Sequence, residues 1–88
     1  MLQNSPNPFT GETRLQVGLP AGSDVRVEIY DVAGRRVRSV LVSAQAKGWN
    51  TLRISARDDR GGSLASGVYF YRVHAGAETV TRKMVIAR

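Results

Sequence analysis

Few residues of this chain have side chains that could carry out chemistry, and they are scattered. His74 is the only histidine and cannot form a metal site alone, while the absence of cysteine excludes thiolate ligands and disulfides. Asp58 and Asp59 could bind calcium with turn carbonyls, but the spacing of an EF-hand loop is missing and a simple turn is favoured. Gly61-Gly62 precedes neither Lys-Ser nor Lys-Thr, so no phosphate-binding loop is predicted.

The aromatic residues leave one further kind of site open. Trp49 and the tyrosines could stack on a sugar ring, although Tyr69 and Tyr71 lie in an apolar alternation and are favoured as core residues. Trp49 is out of phase with the apolar residues that follow it, so its role stays open. Because no nucleophile stands with a base and no carboxylate or metal-ligand pattern is present, we predict a non-enzymatic domain without cofactor or metal.

The charge balance is basic but dispersed. Thirteen Lys and Arg against seven Asp and Glu give a formal net charge of +6, which would suit a polyanion. Only Arg35, Arg36 and Arg38 cluster, and the aromatics do not form a stacking platform. We therefore predict no nucleic-acid partner.

Length and hydropathy set the organisation. A chain of 88 residues accommodates one domain, which we assign to residues 1–88, and no apolar run approaches the roughly 20 residues of a membrane span. The first residues are polar and do not form a signal peptide. We expect either a cytosolic protein or a fragment whose targeting signal lies upstream.

The densest aromatic and β-branched cluster, from Gly67 to Val73, is predicted to be the central strand. Alternation places Tyr69, Tyr71 and Val73 on the core face and His74 on the wetter face, where we expect it to face solvent.

Other strands are predicted from period-2 patterns bounded by turn residues, at residues 13–19, 25–30, 35–42, 51–57 and 79–87. The pattern of 35–42 is irregular, which indicates a β-bulge near Ser39 or a short edge strand. Residues 43–48 are predicted to form a loop. The segment 2–11 should run extended along a sheet edge or as a turn, with Phe9 in the core. Six or seven short strands without a helix predict an all-β antiparallel sandwich.

Six segments stand out in order along nearly the whole chain: Pro6-Asn7-Pro8-Phe9, Leu19-Pro20, Val27-Glu28-Ile29-Tyr30-Asp31-Val32-Ala33-Gly34-Arg35, Asp58-Asp59-Arg60-Gly61, Leu64-Ala65-Ser66-Gly67-Val68-Tyr69-Phe70-Tyr71-Arg72 and Thr81-Arg82-Lys83-Met84-Val85. Together they resemble the type A C-terminal sorting domain of type IX secretion substrates. The immunoglobulin-like domain of the flagellar hook-capping protein is closely similar.

The resemblance implies a seven-stranded immunoglobulin-like, fibronectin III-like sandwich joined to an upstream cargo domain. It implies that an outer-membrane translocon recognises the domain, that a sortase-like protease then removes it, and that the cargo passes through the periplasm to be secreted or held at the cell surface. The alternative is an assembly or spacer module of a flagellar hook cap or cell-surface protein.

The resemblance also nominates motif residues. Prolines 6 and 8 would protect a sheet edge, Gly67 would permit a bend into the central strand, and Tyr69 would anchor a corner through a backbone hydrogen bond. Lys83 and Arg88 are the better candidates for partner contact, because folding does not require a cation there. The full set of motif and recognition residues is Pro6, Asn7, Pro8, Gly67, Tyr69, Lys83, Val85 and Arg88.

Overall fold

Seven β-strands carry the fold in the part of the chain that the structure describes. A computed structural model describes the backbone of residues 2–5 and the backbone and side chains of residues 11–87; Pro6, Asn7, Pro8, Phe9 and Arg88 lie outside the described residues. The strands are β1 (Leu2–Ser5), β2 (Glu12–Leu19), β3 (Ser23–Tyr30), β4 (Arg36–Gln45), β5 (Gly48–Ser55), β6 (Gly67–Ala75) and β7 (Glu78–Ile86). No helix capable of crossing a bilayer occurs in this described part.

The strands form two antiparallel sheets. One has the order β1-β2-β5 and the other the order β4-β3-β6-β7. β6 pairs with β3 on one side and with β7 on the other, so the segment predicted to be the central strand is an inner strand. The predicted fold class, an immunoglobulin-like antiparallel sandwich of about seven strands, is confirmed.

The core follows from alternation, because successive side chains of a strand point to opposite faces of a sheet. Tyr71, Ile29 and Met84 are among its largest fully buried side chains. The buried hydrophobic residues are Leu15, Val17, Leu19, Val25, Val27, Ile29, Leu52, Ile54, Ala56, Leu64, Tyr69, Tyr71, Val73, Met84 and Ile86. The inward faces predicted for the central strand and for the strands at 13–19 and 25–30 are confirmed.

Strand β4 has the irregularity predicted for it, since a β-bulge lies two residues from Ser39 and β4 is an edge strand. Only the predicted short length is wrong, because β4 has ten residues, and Ser39 itself pairs with Glu28. The register with β3 shifts between Ile29 and Tyr30, which leaves Val37 as an extra residue. That irregularity turns Val37 towards the core, while Leu41 remains 56% exposed on the other face.

The loop predicted for residues 43–48 is also wrong, because β4 continues to Gln45 and β5 begins at Gly48. A second register shift lies opposite Asp24, and Ala44 adopts a positive φ of 53° there. The Asp24 carboxylate accepts a hydrogen bond from the Ala44 amide at 2.8 Å. A side chain from β3 thus replaces a missing ladder bond and allows small polar residues to extend the strand.

The paired aspartates organise a turn, as favoured from the sequence. Asp58 Oδ1 accepts hydrogen bonds from the amides of Arg60 and Gly62 at 2.9 and 2.8 Å. Asp59 Oδ1 accepts one from the Ser39 amide at 3.0 Å, and the Asp59 amide donates to the Val37 carbonyl at 3.0 Å. The turn therefore bonds to the outer edge of β4 and covers part of it.

Candidate functional site

The pairing of β6 with β7 brings two of the predicted recognition residues together with two exposed apolar residues. Val85 lies directly across from Val68, and Lys83 lies directly across from Phe70. Cross-strand partners share a face of the sheet. We call the surface formed by Val68, Phe70, Lys83 and Val85 the β6–β7 face.

Three of the four residues of the β6–β7 face are apolar, and the face includes an edge strand of the four-stranded sheet. Val68 and Phe70 are 38% and 39% exposed, on strands whose alternate residues are buried. β7 is the last strand of the four-stranded sheet among the described residues. Exposed apolar side chains clustered beside a cation are typical of protein contact surfaces.

A basic side chain, Arg72, lies on the sheet surface next to this face. The guanidinium carbon of Arg72 lies 5.4 Å from the centre of the Tyr30 ring, and Nε of Arg72 lies 3.4 Å from Thr81 Oγ1. Tyr30 is the cross-strand partner of Phe70, so the two aromatic rings stand on neighbouring strands. The surface offers apolar contact together with positive charge, which suits an acidic or mixed protein partner.

Tyr69 and Gly67 have structural roles, as favoured from the sequence. Tyr69 is buried, and its hydroxyl donates a 2.8 Å hydrogen bond to the Ala65 carbonyl, four residues upstream. This contact is a tyrosine corner, which fixes the entry into the corresponding strand of immunoglobulin-like domains. Gly67 has a φ of 151°, a conformation that residues with a Cβ rarely adopt. The Tyr69 hydrogen bond and the φ of Gly67 are both consistent with the structural roles expected from the sequence.

Removing the corner hydroxyl is expected to destabilise the domain. Tyr69→Phe leaves the Ala65 carbonyl without this partner while keeping the ring, which should lower the free energy of unfolding by about 1–3 kcal/mol. Urea unfolding measures the loss. Thr51→Val, which removes an exposed hydroxyl from β5, is the control and should stay within about 0.5 kcal/mol of the parent. Equal stabilities for the parent and Tyr69→Phe would contradict the role of the corner.

The polar cluster around Glu28 was missed by sequence reasoning. Oε1 of Glu28 lies 2.6 Å from Nε2 of His74, and Oε2 accepts a hydrogen bond from Nη1 of Arg36 at 3.2 Å. Nδ1 of His74 lies 3.1 Å from Thr79 Oγ1. His74 is therefore half-buried and hydrogen-bonded, where we expected it to face solvent. Alternation indicated that Glu28 lies on the outer face of β3. Its contacts with His74 and Arg36, however, depend on the pairing of β3 with β6 and β4.

These contacts shift the titration of Glu28. The hydrogen bond from His74 lowers the pKa of Glu28, burial opposes this shift, and the hydrogen bond from Arg36 adds to it. A carboxyl whose pKa is lowered by folding stabilises the folded state above its ordinary pKa, and this contribution disappears as pH falls. The contacts of Glu28 join β3 to β4 and β6 on the outer surface of the four-stranded sheet, which is the surface that carries the β6–β7 face.

The acid dependence of stability should therefore decrease when Glu28 is replaced. Between about pH 5 and pH 3, the parent is expected to lose more unfolding free energy than Glu28→Gln, because only the parent carries this titrating carboxylate. Urea unfolding at a series of pH values and constant ionic strength provides the measurement. Parallel stability curves for the two proteins would contradict a lowered pKa at Glu28.

In the part of the chain that the structure describes, no group of three or more His, Asp or Glu residues is placed to hold a metal ion. Asp58 and Asp59, the candidates from sequence, have oxygens engaged with backbone amides. Pro6, Asn7, Pro8 and Arg88 lie outside the described residues, so their predicted roles stay predictions.

The described residues form an immunoglobulin-like sandwich with a tyrosine corner and an exposed apolar patch at one edge of the larger sheet. Residues 3–79 match the FlgD Ig-like domain model, and the chain belongs to this family. No curated protein matches the chain in sequence.

Solved structures share the fold. PorU from Porphyromonas gingivalis, in its dimeric latent form, matches with a TM-score of 0.80 and 22% identity over 97% of this chain and 9% of its own. FlgD from Xanthomonas campestris, studied for hook capping in flagellar assembly, gives 0.69 and 24% over 90% and 58%. PorZ, a surface component of the P. gingivalis type IX secretion system, gives 0.63 and 23% over 99% and 11%.

These coverages show that the chain corresponds to part of each matched protein. It spans 58% of the FlgD chain and only 9% and 11% of the PorU and PorZ chains. The fold is therefore shared by proteins of type IX secretion and of flagellar assembly.

Proposed function

We propose that this domain is a non-enzymatic sorting signal, recognised in its folded state by an outer-membrane secretion translocon of the type IX kind. In this proposal it is attached to an upstream cargo protein, directs that cargo from the periplasm to the outside of the cell, and is then removed by a sortase-like protease. The β6–β7 face is the proposed contact surface.

The observation that carries the proposal is the position of the ordered sequence motifs on adjacent strands. The motif that contains Gly67 and Tyr69 begins β6, and the motif that contains Lys83 and Val85 lies near the end of β7. Gly67 and Tyr69 have folding roles, whereas Lys83 is exposed and makes no described ion pair. An exposed motif residue beside exposed apolar side chains is better explained by binding than by folding.

Likeness to the secretion components adds support at the level of the fold. PorZ, a component of the type IX system, contains a unit of this shape, and the match covers 99% of the present chain. The chain is small beside the PorZ and PorU chains, which fits a module attached to larger proteins. If different cargo proteins carry a sorting domain of the same fold, one receptor surface can bind all of them.

A second candidate function is an assembly module of the hook-cap kind. It is favoured by the family match over residues 3–79 and by the larger share of the FlgD chain that the domain spans. In that role the domain would remain part of the mature protein and would present a face or hold neighbouring domains apart. A sorting signal, in contrast, would be removed after export.

One fusion experiment separates the two functions. Residues 1–88 are joined to the carboxyl end of an inert periplasmic reporter in a cell that has a working type IX system. Export of the reporter with loss of the domain, measured by fractionation and mass spectrometry, is the expected result. A reporter that stays in the periplasm with a folded, uncleaved domain would contradict the sorting function, and a cell lacking the translocon is the control.

A further inference from the structure

The three-stranded sheet carries an exposed aromatic side chain that the proposed sorting function does not use. Trp49, at the start of β5, is 61% exposed although it lies in a strand. Its cross-strand partner is Gly18 of β2. A Cβ built on Gly18 would lie 3.3 to 3.5 Å from three carbons of the six-membered ring, so the indole packs over the glycine backbone. One face of the ring rests on the sheet, and much of its surface remains open to solvent.

Two arginines stand further along the same outer surface. Arg14 and Arg53 are direct cross-strand partners, both exposed, and Arg53 is four residues beyond Trp49 on β5. At the rise of a β-strand, four residues place the arginine about 13 Å from the tryptophan. Gln16 and Thr51 form the pair between them and add hydrogen-bonding groups.

The two arginines face each other across the pairing of β2 with β5. Like charges directly opposite each other destabilise a sheet. Neither Arg14 nor Arg53 has an ion pair or side-chain hydrogen bond among residues 11–87, and Glu12, the acid on the same face of β2, makes no ion pair with them there. An anion placed between the two guanidinium groups would offset their repulsion.

We infer that the surface of Trp49, Gln16, Thr51, Arg14 and Arg53 binds an anionic polysaccharide. A sugar ring would pack on the open face of Trp49, the hydroxyls of the next sugar would meet Gln16 and Thr51, and an acidic group further along would contact the arginine pair. A glycan fits better than single-stranded nucleic acid because this surface has one stacking aromatic, whereas nucleic-acid platforms stack successive bases. This site lies on the sheet opposite to the β6–β7 face and is independent of the sorting function.

Tryptophan fluorescence tests the site directly, since Trp49 is the only tryptophan. The folded domain is titrated with polygalacturonate and alginate, which carry carboxylates, and with neutral dextran. The expected result is a saturable change in emission with the acidic polymers that weakens as salt increases, and none with dextran. Absence of binding to both acidic polymers, or equal binding to dextran, would overturn the inference.

Variants then locate the binding surface by affinity electrophoresis in gels containing polygalacturonate. Trp49→Ala should weaken binding about tenfold, and Arg14→Gln/Arg53→Gln about fivefold, with a shallower salt dependence. Leu41→Ala and Arg26→Gln/Arg60→Gln remove an equally exposed apolar group and two charges elsewhere and should bind as the parent does. Equal losses in both arginine pairs, or tighter binding to oligo-thymidine than to polygalacturonate, would overturn the assignment.

Discussion

Tyr71→Ala is expected to lower the free energy of unfolding by about 3–5 kcal/mol, the range for removing a large aromatic side chain from a packed core. Tyr71 is only 2% exposed and is among the largest fully buried side chains. It stands on β6 between β3 and β7, with Ile29 and Arg82 as its cross-strand partners. Truncation leaves a cavity between β6 and the opposite sheet. The neighbouring strands are too rigid to fill this cavity.

The loss at Tyr71 is large relative to the whole domain. At roughly 0.05–0.15 kcal/mol per residue, the domain should have only about 4–13 kcal/mol of stability. Phe70→Ala is the matched control on the same strand, because Phe70 points outward and is 39% exposed. It should cost about 1 kcal/mol or less. Comparable losses for Tyr71→Ala and Phe70→Ala in urea unfolding would contradict the assignment of the inner and outer faces of β6.

The combined variant Phe70→Ser/Lys83→Glu is expected to reduce reporter export about tenfold or more without unfolding the domain. Phe70 and Lys83 are cross-strand partners on the β6–β7 face, and both are exposed. Loss of an apolar anchor together with reversal of a neighbouring charge removes about 1–2 kcal/mol or more of binding free energy from a protein contact. Export and urea unfolding are measured on the same fusion protein.

Leu41→Ser/Lys47→Glu is the matched control for that variant. It replaces an apolar residue that is 56% exposed and reverses one lysine, on β4 and in the turn that follows it. β4 forms the opposite edge of the same sheet, so the chemical change is the same and the surface differs. If this control is exported normally, the loss of export in Phe70→Ser/Lys83→Glu results from the change on the β6–β7 face and not from altered net charge.

Alternation alone predicted the faces of most strands. Val25, Val27 and Ile29 alternate with polar residues in a strict period of two, and the structure buries all three. At β4 alternation indicated only an irregularity, because a bulge shifts the phase of alternation and its exact position depends on bonds from other segments. The Asp24 carboxylate bonded to the Ala44 amide and the Asp59 carboxylate bonded to the Ser39 amide are such contacts, and each joins residues twenty positions apart.

The candidate site was predictable only in part. The resemblance nominated Lys83 and Val85 as candidate recognition residues, and the sequence predicted that they lie on the last strand. Their meeting with Phe70 and Val68 depends on the register of β6 with β7, which no pattern within one strand specifies. The same reason hid the contact of Glu28 with His74, 46 residues away in the chain.

The measurement that tests the central claim most directly is the ratio of exported to periplasmic reporter for three fusions in one type IX-competent cell. The fusions carry the parent domain, Phe70→Ser/Lys83→Glu and Leu41→Ser/Lys47→Glu. The account predicts export of the parent and of the Leu41/Lys47 variant, with the domain removed, and periplasmic retention of a folded Phe70/Lys83 variant. Equal export of all three, or retention of the parent, would contradict recognition of the folded β6–β7 face.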